Sequence, residues 1–140
     1  MRDIEATTQH IAPFPICQLD ELTTQSARTF QLLRRKKSGR AVKWNIFVVR
    51  LGERVVGYYN TCPHSPWNLD CEGNDIMNPG GFLQCGKHGA RFEVDGGRCF
   101  HGPCKGERLK PVELSVLDGA VCVNNVDLVA DAAAAAAAHD

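Results

Sequence analysis

The run WNIFVVRL, residues 44–51, constrains the fold more than any other stretch. It is β-branched and aromatic and reads as a buried strand. A short Gly-Glu turn leads to RVVGYYN (54–60), so the pair reads as a hairpin. Similar signals recur. Thr29-Phe30-Gln31-Leu32 alternates before a basic loop, RRKKSGR (34–40), and GFLQC follows the turn NPGG (78–81). RFEVDGGRCF (91–100) reads as two short strands about Asp95-Gly96-Gly97. VELSVLDGAVCV (112–123) reads as a hairpin about Asp118-Gly119, with Val112, Leu114 and Val116 on one face. A single helical turn fits LDEL (19–22). Many short strands with Gly-rich turns indicate an all-β antiparallel sandwich or barrel.

Composition narrows the function classes. A chain of 140 residues is one domain's worth and buries enough surface to fold without disulfide staples. A formal net charge of +0 gives no reason to expect nucleic acid or an anionic membrane as partner. No apolar run approaches the roughly 20 residues that span a bilayer. The polar start, MRDIEATTQHIAPFPIC, has no apolar signal core, so the expectation is a cytoplasmic protein. In that compartment seven cysteines suit metal ligation or burial better than disulfides. Residues 1–11 read as a tail, 12–124 as the domain, and 125–140 as a low-complexity C-terminal tail, of which AAAAAAAHD (132–140) has too few alanines to hold a helix alone in water.

Two loops interrupt the strand pattern. The first carries Cys62-x-His64; twenty residues later the second carries Cys85-x-x-His88. Each follows a strand directly, where a rigid scaffold can hold a site. Thiolate with imidazole favours zinc, copper or iron–sulfur over magnesium or calcium. Zinc in a Cys2His2 site and a [2Fe–2S] cluster with two cysteines and two histidines both remain open. Zinc sites usually pair like with like, whereas each loop here gives one Cys and one His. Two loops reaching a two-iron cluster from opposite sides would each supply one ligand per iron, so the mixed pairs fit the cluster better.

The pattern resembles the Rieske-type iron–sulfur domain, whose signature is C-x-H, a gap, then C-x-x-H. CPH (62–64) and CGKHG (85–89) carry the resemblance, with HGPCKG (101–106) in place of the family's Gly-Pro loop and GARFEVDGG after the second histidine. It covers roughly residues 12–124. The gap between the loops is longer than the family's shortest, an extended connection around CEGNDIMNPGG. The resemblance implies stacked antiparallel sheets with a small cluster-binding subdomain, loops about 61–90 and 100–106. It implies a [2Fe–2S] cluster on Cys62, His64, Cys85 and His88, and one-electron transfer through the histidine edge. Two ferric ions, two sulfides and two thiolates sum to zero, against minus two for four thiolates, so histidine ligation raises the potential.

The family's high-potential branch has an extra cysteine in each loop, joined as a disulfide. Those positions here are Trp67 and Lys87, and the branch's Ser and Tyr donors are matched by Ala90 and Phe92. Two lost hydrogen bonds to a charged group, at ~1.5–3 kcal/mol each, lower a one-electron potential by roughly 100–250 mV. The expectation is therefore the low-potential, ferredoxin-like end of the family.

The resemblance implies a soluble electron carrier between a reductase and an oxygenase or other terminal oxidoreductase, without a substrate site of its own. With 16 residues after Asn124, the expectation is that an oxygenase's catalytic domain is absent. A fixed small subunit of a larger oxidoreductase, such as an assimilatory nitrite reductase, is the alternative, and a redox-sensing or structural metal module is another. Cys17, Cys71, Cys99, Cys104 and Cys122 read chiefly as small buried residues, with a redox or disulfide role open for Cys99 and Cys104, which flank the third loop. His101 reads as a loop residue, or as a group near the cluster. Trp67 reads as packing or as a partner contact. RRKKSGR reads as a solvated loop, or as a docking patch for an acidic redox partner.

Overall fold

The computed structural model describes residues 11–63, 67–73, 75–87 and 89–129. Its strands are β1 (Phe14–Gln18), β2 (Ala27–Arg35), β3 (Ala41–Leu51), β4 (Arg54–Tyr59), β5 (Met77–Asn78) and β6 (Phe82–Gln84). They continue with β7 (Arg91–Phe92), β8 (Cys99–His101), β9 (Pro111–Val112), β10 (Leu114–Leu117) and β11 (Ala120–Val123). Three antiparallel sheets result, ordered β1-β11-β10, β2-β3-β4-β9 and β5-β6-β7-β8. This is the all-β antiparallel architecture the sequence predicts.

β3 explains why the sheets stack as they do. Its side chains alternate across the sheet, and both faces are apolar. Trp44, Ile46 and Val48 enter one core with Phe30, Leu32, Val121 and Val123. Phe47 and Val49 enter a second core with Leu69, Leu83, Phe92 and Leu109. β4 splits the same way: Val55 and Tyr59 pack on the first core, Val56 and Tyr58 on the second. The 44–60 hairpin is therefore the partition between two cores, and the second core supports the small sheet β5-β6-β7-β8.

Local chemistry accounts for several details. The expected helical turn is a 3-10 turn, Leu19–Glu21, whose Glu21 carboxylate accepts the Gln18 N–H at 2.8 Å. β2 runs two residues into the basic stretch because Arg34 covers aromatic rings. Its guanidinium lies 5.5 Å from the Trp44 ring centre and 5.7 Å from that of Tyr59. β1 has no counterpart in the sequence reading, since Pro13 and Pro15 suppress a strand signal. It forms because it lies at a sheet edge, where the missing proline N–H is tolerated, with a register shift between Pro15 and Cys17. Val112, Leu114 and Val116 feed one core, as expected, but the chain changes sheets at Glu113: β9 pairs with β4, and β10 with β11.

Tyr58 joins the large sheet to the small one. Its hydroxyl donates to Val94 O at 2.6 Å and accepts from the Gly96 N–H at 2.9 Å, gripping the β7–β8 turn. Gly97 lies against the ring at positive φ, where a Cβ would approach Tyr58 Cε1 to 2.8 Å. Burial raises the Tyr58 phenol above its ordinary value, so the folded state holds this proton more tightly than the unfolded chain does. The resulting stability is full below a pH of about 10, tyrosine's ordinary value, and declines as pH rises beyond it. Tyr58→Phe removes both hydrogen bonds and is expected to cost roughly 1–3 kcal/mol in urea unfolding. A variant as stable as the parent would show that the turn holds without them.

Candidate metal centre

Two loops of equal length rise from the second core. In the first, the Cys62 N–H donates to Trp67 O at 2.9 Å; in the second, the Cys85 N–H donates to Ala90 O at 2.9 Å. Each closure spans six residues with the cysteine at its head. In the second loop Gly89 also returns its N–H to Cys85 O at 3.1 Å, from a positive φ of 69°. The loops are joined to each other: the Gly86 N–H donates to Leu69 O at 2.9 Å, just past the end of the first. Across their exposed surface the Lys87 ammonium lies 4.6 Å from the Trp67 ring centre.

Both thiols are buried, Cys62 at 1% exposure and Cys85 at 0%, and both belong to the second core. His64 and His88 lie outside the described residues. Among the described residues no three His, Cys, Asp or Glu side chains are arranged to hold a metal ion. The described half of the expected donor set fits a thiophilic metal group. Two soft ligands stand at the heads of joined loops in an apolar surround, where a metal can hold them as thiolates. All seven cysteines are free thiols in this structure.

A third loop closes over the second. Gly102, at φ 105°, brings its backbone so near that an added Cβ would lie 2.9 Å from Ala90 Cα. No side chain fits there, which explains the glycine of HGPC. Beneath this loop are Cys99 and Cys104, both at 0% exposure with their sulfurs 2.9 Å apart. Burial first, then the neighbouring Cys99 and Cys62 sulfurs, push the Cys104 thiol well above its ordinary range. His101 and Trp67 are exposed, while Trp44 is buried in the first core. Cys17 and Cys122 are buried as expected, and Cys71 is half-buried.

The sequence reading assigned nothing to Asn60, yet it organises the first loop. It is the one buried polar residue among the described residues, at 2% exposure. Its N–H donates to Asn45 O on β3 at 2.9 Å, its side-chain oxygen accepts the buried Leu69 N–H at 2.8 Å, and its Nδ2 donates to Asp70 at 3.1 Å. The backbone of Asn60 thus ties the end of β4 to β3, and its side-chain amide ties that point to the far side of the Cys62 loop. The available signal was a polar residue two places before the cysteine at a strand end.

A model of the Rieske [2Fe–2S] domain matches residues 12–126. The chain belongs to that family. The cofactor of a Rieske domain is a [2Fe–2S] cluster. Solved Rieske structures share the fold. The ferredoxin of carbazole 1,9a-dioxygenase from Nocardioides aromaticivorans IC177 is 22% identical with a TM-score of 0.62, covering 81% of this chain and 98% of that one. The Sphingomonas yanoikuyae B1 ferredoxin is 20% identical with a TM-score of 0.56, at 81% and 98% coverage. The terminal oxygenase of carbazole 1,9a-dioxygenase from Novosphingobium sp. KA1 is 18% identical with a TM-score of 0.64, but the match covers 85% of this chain and 30% of the oxygenase chain. No curated protein sequence gives a significant match. No helix among the described residues is long and apolar enough to cross a membrane.

Asn60→Leu preserves volume but leaves the Leu69 N–H buried without its acceptor, an expected loss of about 1–3 kcal/mol. Because the lost bond lies at the Cys62 loop, bound iron per folded chain should fall as well. Parental iron content in a destabilised Asn60→Leu protein would confine the residue's role to stability.

Proposed function

We propose that this chain is a one-electron carrier that delivers electrons to an oxygenase or another terminal oxidoreductase. Cys62 and His64 from the first loop and Cys85 and His88 from the second hold its cluster. The observation that carries this reading is the pair of buried thiols at the heads of two like loops, tied by the Gly86–Leu69 bond. When bound, the cluster takes up and releases a single electron. The apolar surround of Cys62 and Cys85 keeps water from the thiolate side. Trp67 and Lys87, exposed on the two loops, lie where a partner can approach.

The similar solved structures support a carrier role. The ferredoxin chains are matched over nearly their full length. One matched chain comes from a complex of reduced oxygenase and oxidised ferredoxin in carbazole 1,9a-dioxygenase. The match to an oxygenase covers less than a third of that chain, so the likeness there is to a part. We assign the electron source to a reductase on chemical grounds, since a carrier needs a donor. Exposed charge suits an acidic partner face. Lys87 stands on the second loop, Arg108 and Lys110 line a cavity of about 620 Å³ beside Cys62 and Pro63, and the basic 36–40 turn projects from the sheet end where Cys62 emerges.

The test is metal and sulfide analysis with EPR of the reduced protein. About two irons and two sulfides per chain, with the spectrum of mixed nitrogen and sulfur ligation, are expected. Cys62→Ser, His64→Ala, Cys85→Ser and His88→Ala should each lose most of the iron. One zinc and no iron, persisting after anaerobic reconstitution, would overturn the carrier reading.

The potential is a separate prediction. Ala90 and Phe92 have no side-chain donor, both are buried at 0% exposure, and Lys87 is solvated, so its charge is screened. Redox titration should place the midpoint in the lower part of the Rieske range, which spans about −150 to +300 mV. A midpoint well above about +100 mV in that range would contradict this account.

A further inference from the structure

Cys99 and Cys104 are not needed as ligands, and two small hydrophobes would fill their space. Their sulfurs nevertheless face each other at 2.9 Å, within ~0.9 Å of a disulfide's length of about 2.05 Å. The segment between them is firmly held. The Gly106 N–H donates to Cys99 O at 2.9 Å, the Cys99 N–H to Glu107 O at 2.7 Å, and the Glu107 N–H to Cys104 O at 2.8 Å. Cys104 lies in the same buried core as Cys62. The pair is thus packed on one side with a cysteine of the metal loops. On the other it carries the loop that Gly102 presses onto Ala90 in the second metal loop.

We propose that Cys99 and Cys104 are a reversible dithiol–disulfide couple that tunes the metal centre. This rests on the reading of Cys62 as a cluster ligand. In this structure the Cys104 S–H donates to Cys99 Sγ; in the dithiol holoprotein it can turn instead to a Cys62 thiolate in the same core and stabilise the additional negative charge of the reduced centre. In the disulfide state that donor is gone. The oxidant is a small-molecule disulfide. Both S–H bonds break, the Cys99–Cys104 S–S bond forms, the oxidant's S–S bond breaks, and two electrons and two protons pass to its sulfurs to give two thiols. Zero exposure makes the exchange slow, so the couple is read at equilibrium. Oxidation is expected to lower the midpoint potential of the cluster without releasing it.

The test uses the holoprotein, prepared anaerobically in excess dithiol and equilibrated in a series of reduced and oxidised glutathione. Cysteines are then alkylated under denaturing conditions and mapped by mass spectrometry, with iron content and midpoint potential measured on the same samples. The expected result is a single Cys99–Cys104 disulfide at the oxidised end, with iron retained and a lower midpoint than in the dithiol form. Cys99→Ser, which keeps the Cys104 donor, should hold its midpoint constant across the series, whereas Cys104→Ala should show the lowered midpoint throughout. The proposal is overturned if Cys99 and Cys104 are alkylated at every glutathione ratio. It is also overturned if Cys104 pairs elsewhere, if the bridge forms only after iron is lost, or if the midpoint is the same in both states. Should either variant fail to fold, the mapping and midpoints of the parent protein decide the matter. Iron and sulfide in the starting dithiol protein test the carrier reading separately.

Discussion

The closure of each metal loop by a backbone hydrogen bond, from the cysteine N–H to the carbonyl five residues on, is the constraint on which the site depends. Each bond fixes the cysteine backbone during folding, so the entropy of placing the thiol is lost then and not when a metal group binds. Using one closure twice gives two cysteines in like local settings. The Gly86–Leu69 bond then ties the second cysteine's loop to the chain just beyond the first.

That pair takes its rigidity from the sheet beneath. β3 is buried on both faces, so the core holding Phe47 and Val49 also holds Cys62, Cys85, Cys99 and Cys104. The sulfurs are part of the packed interior rather than appendages of it. Packing at this end of the molecule therefore includes the cysteines themselves, while the other core, around Ile46 and Val121, shares β3 and β4 with it. Tyr58 and Asn60 are the polar exceptions that make the coupling specific. One fixes the small sheet to the large sheet, the other fixes the first loop to the central strand.

Much of this is legible in the sequence because the informative residues are adjacent in it. The hairpins over 44–60 and 112–123 are visible as apolar runs around glycine turns, and the loops as cysteine and histidine at short spacing. What could not be read depends on residues distant in the chain. Pro15 hides β1, which is defined by its pairing with β11. Asn60 looks like a strand-ending polar residue until Leu69 folds back onto it. Gly102 looks like an ordinary turn glycine until Ala90 lies under it. Cys99 and Cys104 are separated by four residues, a spacing open to many geometries, and only the bonds from Glu107 and Gly106 turn their sulfurs toward each other.

The Trp67–Lys87 contact is a weak tie between the two loops. Both residues are exposed, and a cation–π pair in that setting contributes only about 0.5–1 kcal/mol, against roughly 2–4 for a disulfide. The loops are held by several further weak ties: the Gly86–Leu69 bond between them, Asn60 beneath the first, and the Gly102 contact over the second. None of these is broken by a reductant. These ties persist under conditions that would open a disulfide, and Trp67 and Lys87 remain on the surface, an aromatic face beside a positive charge.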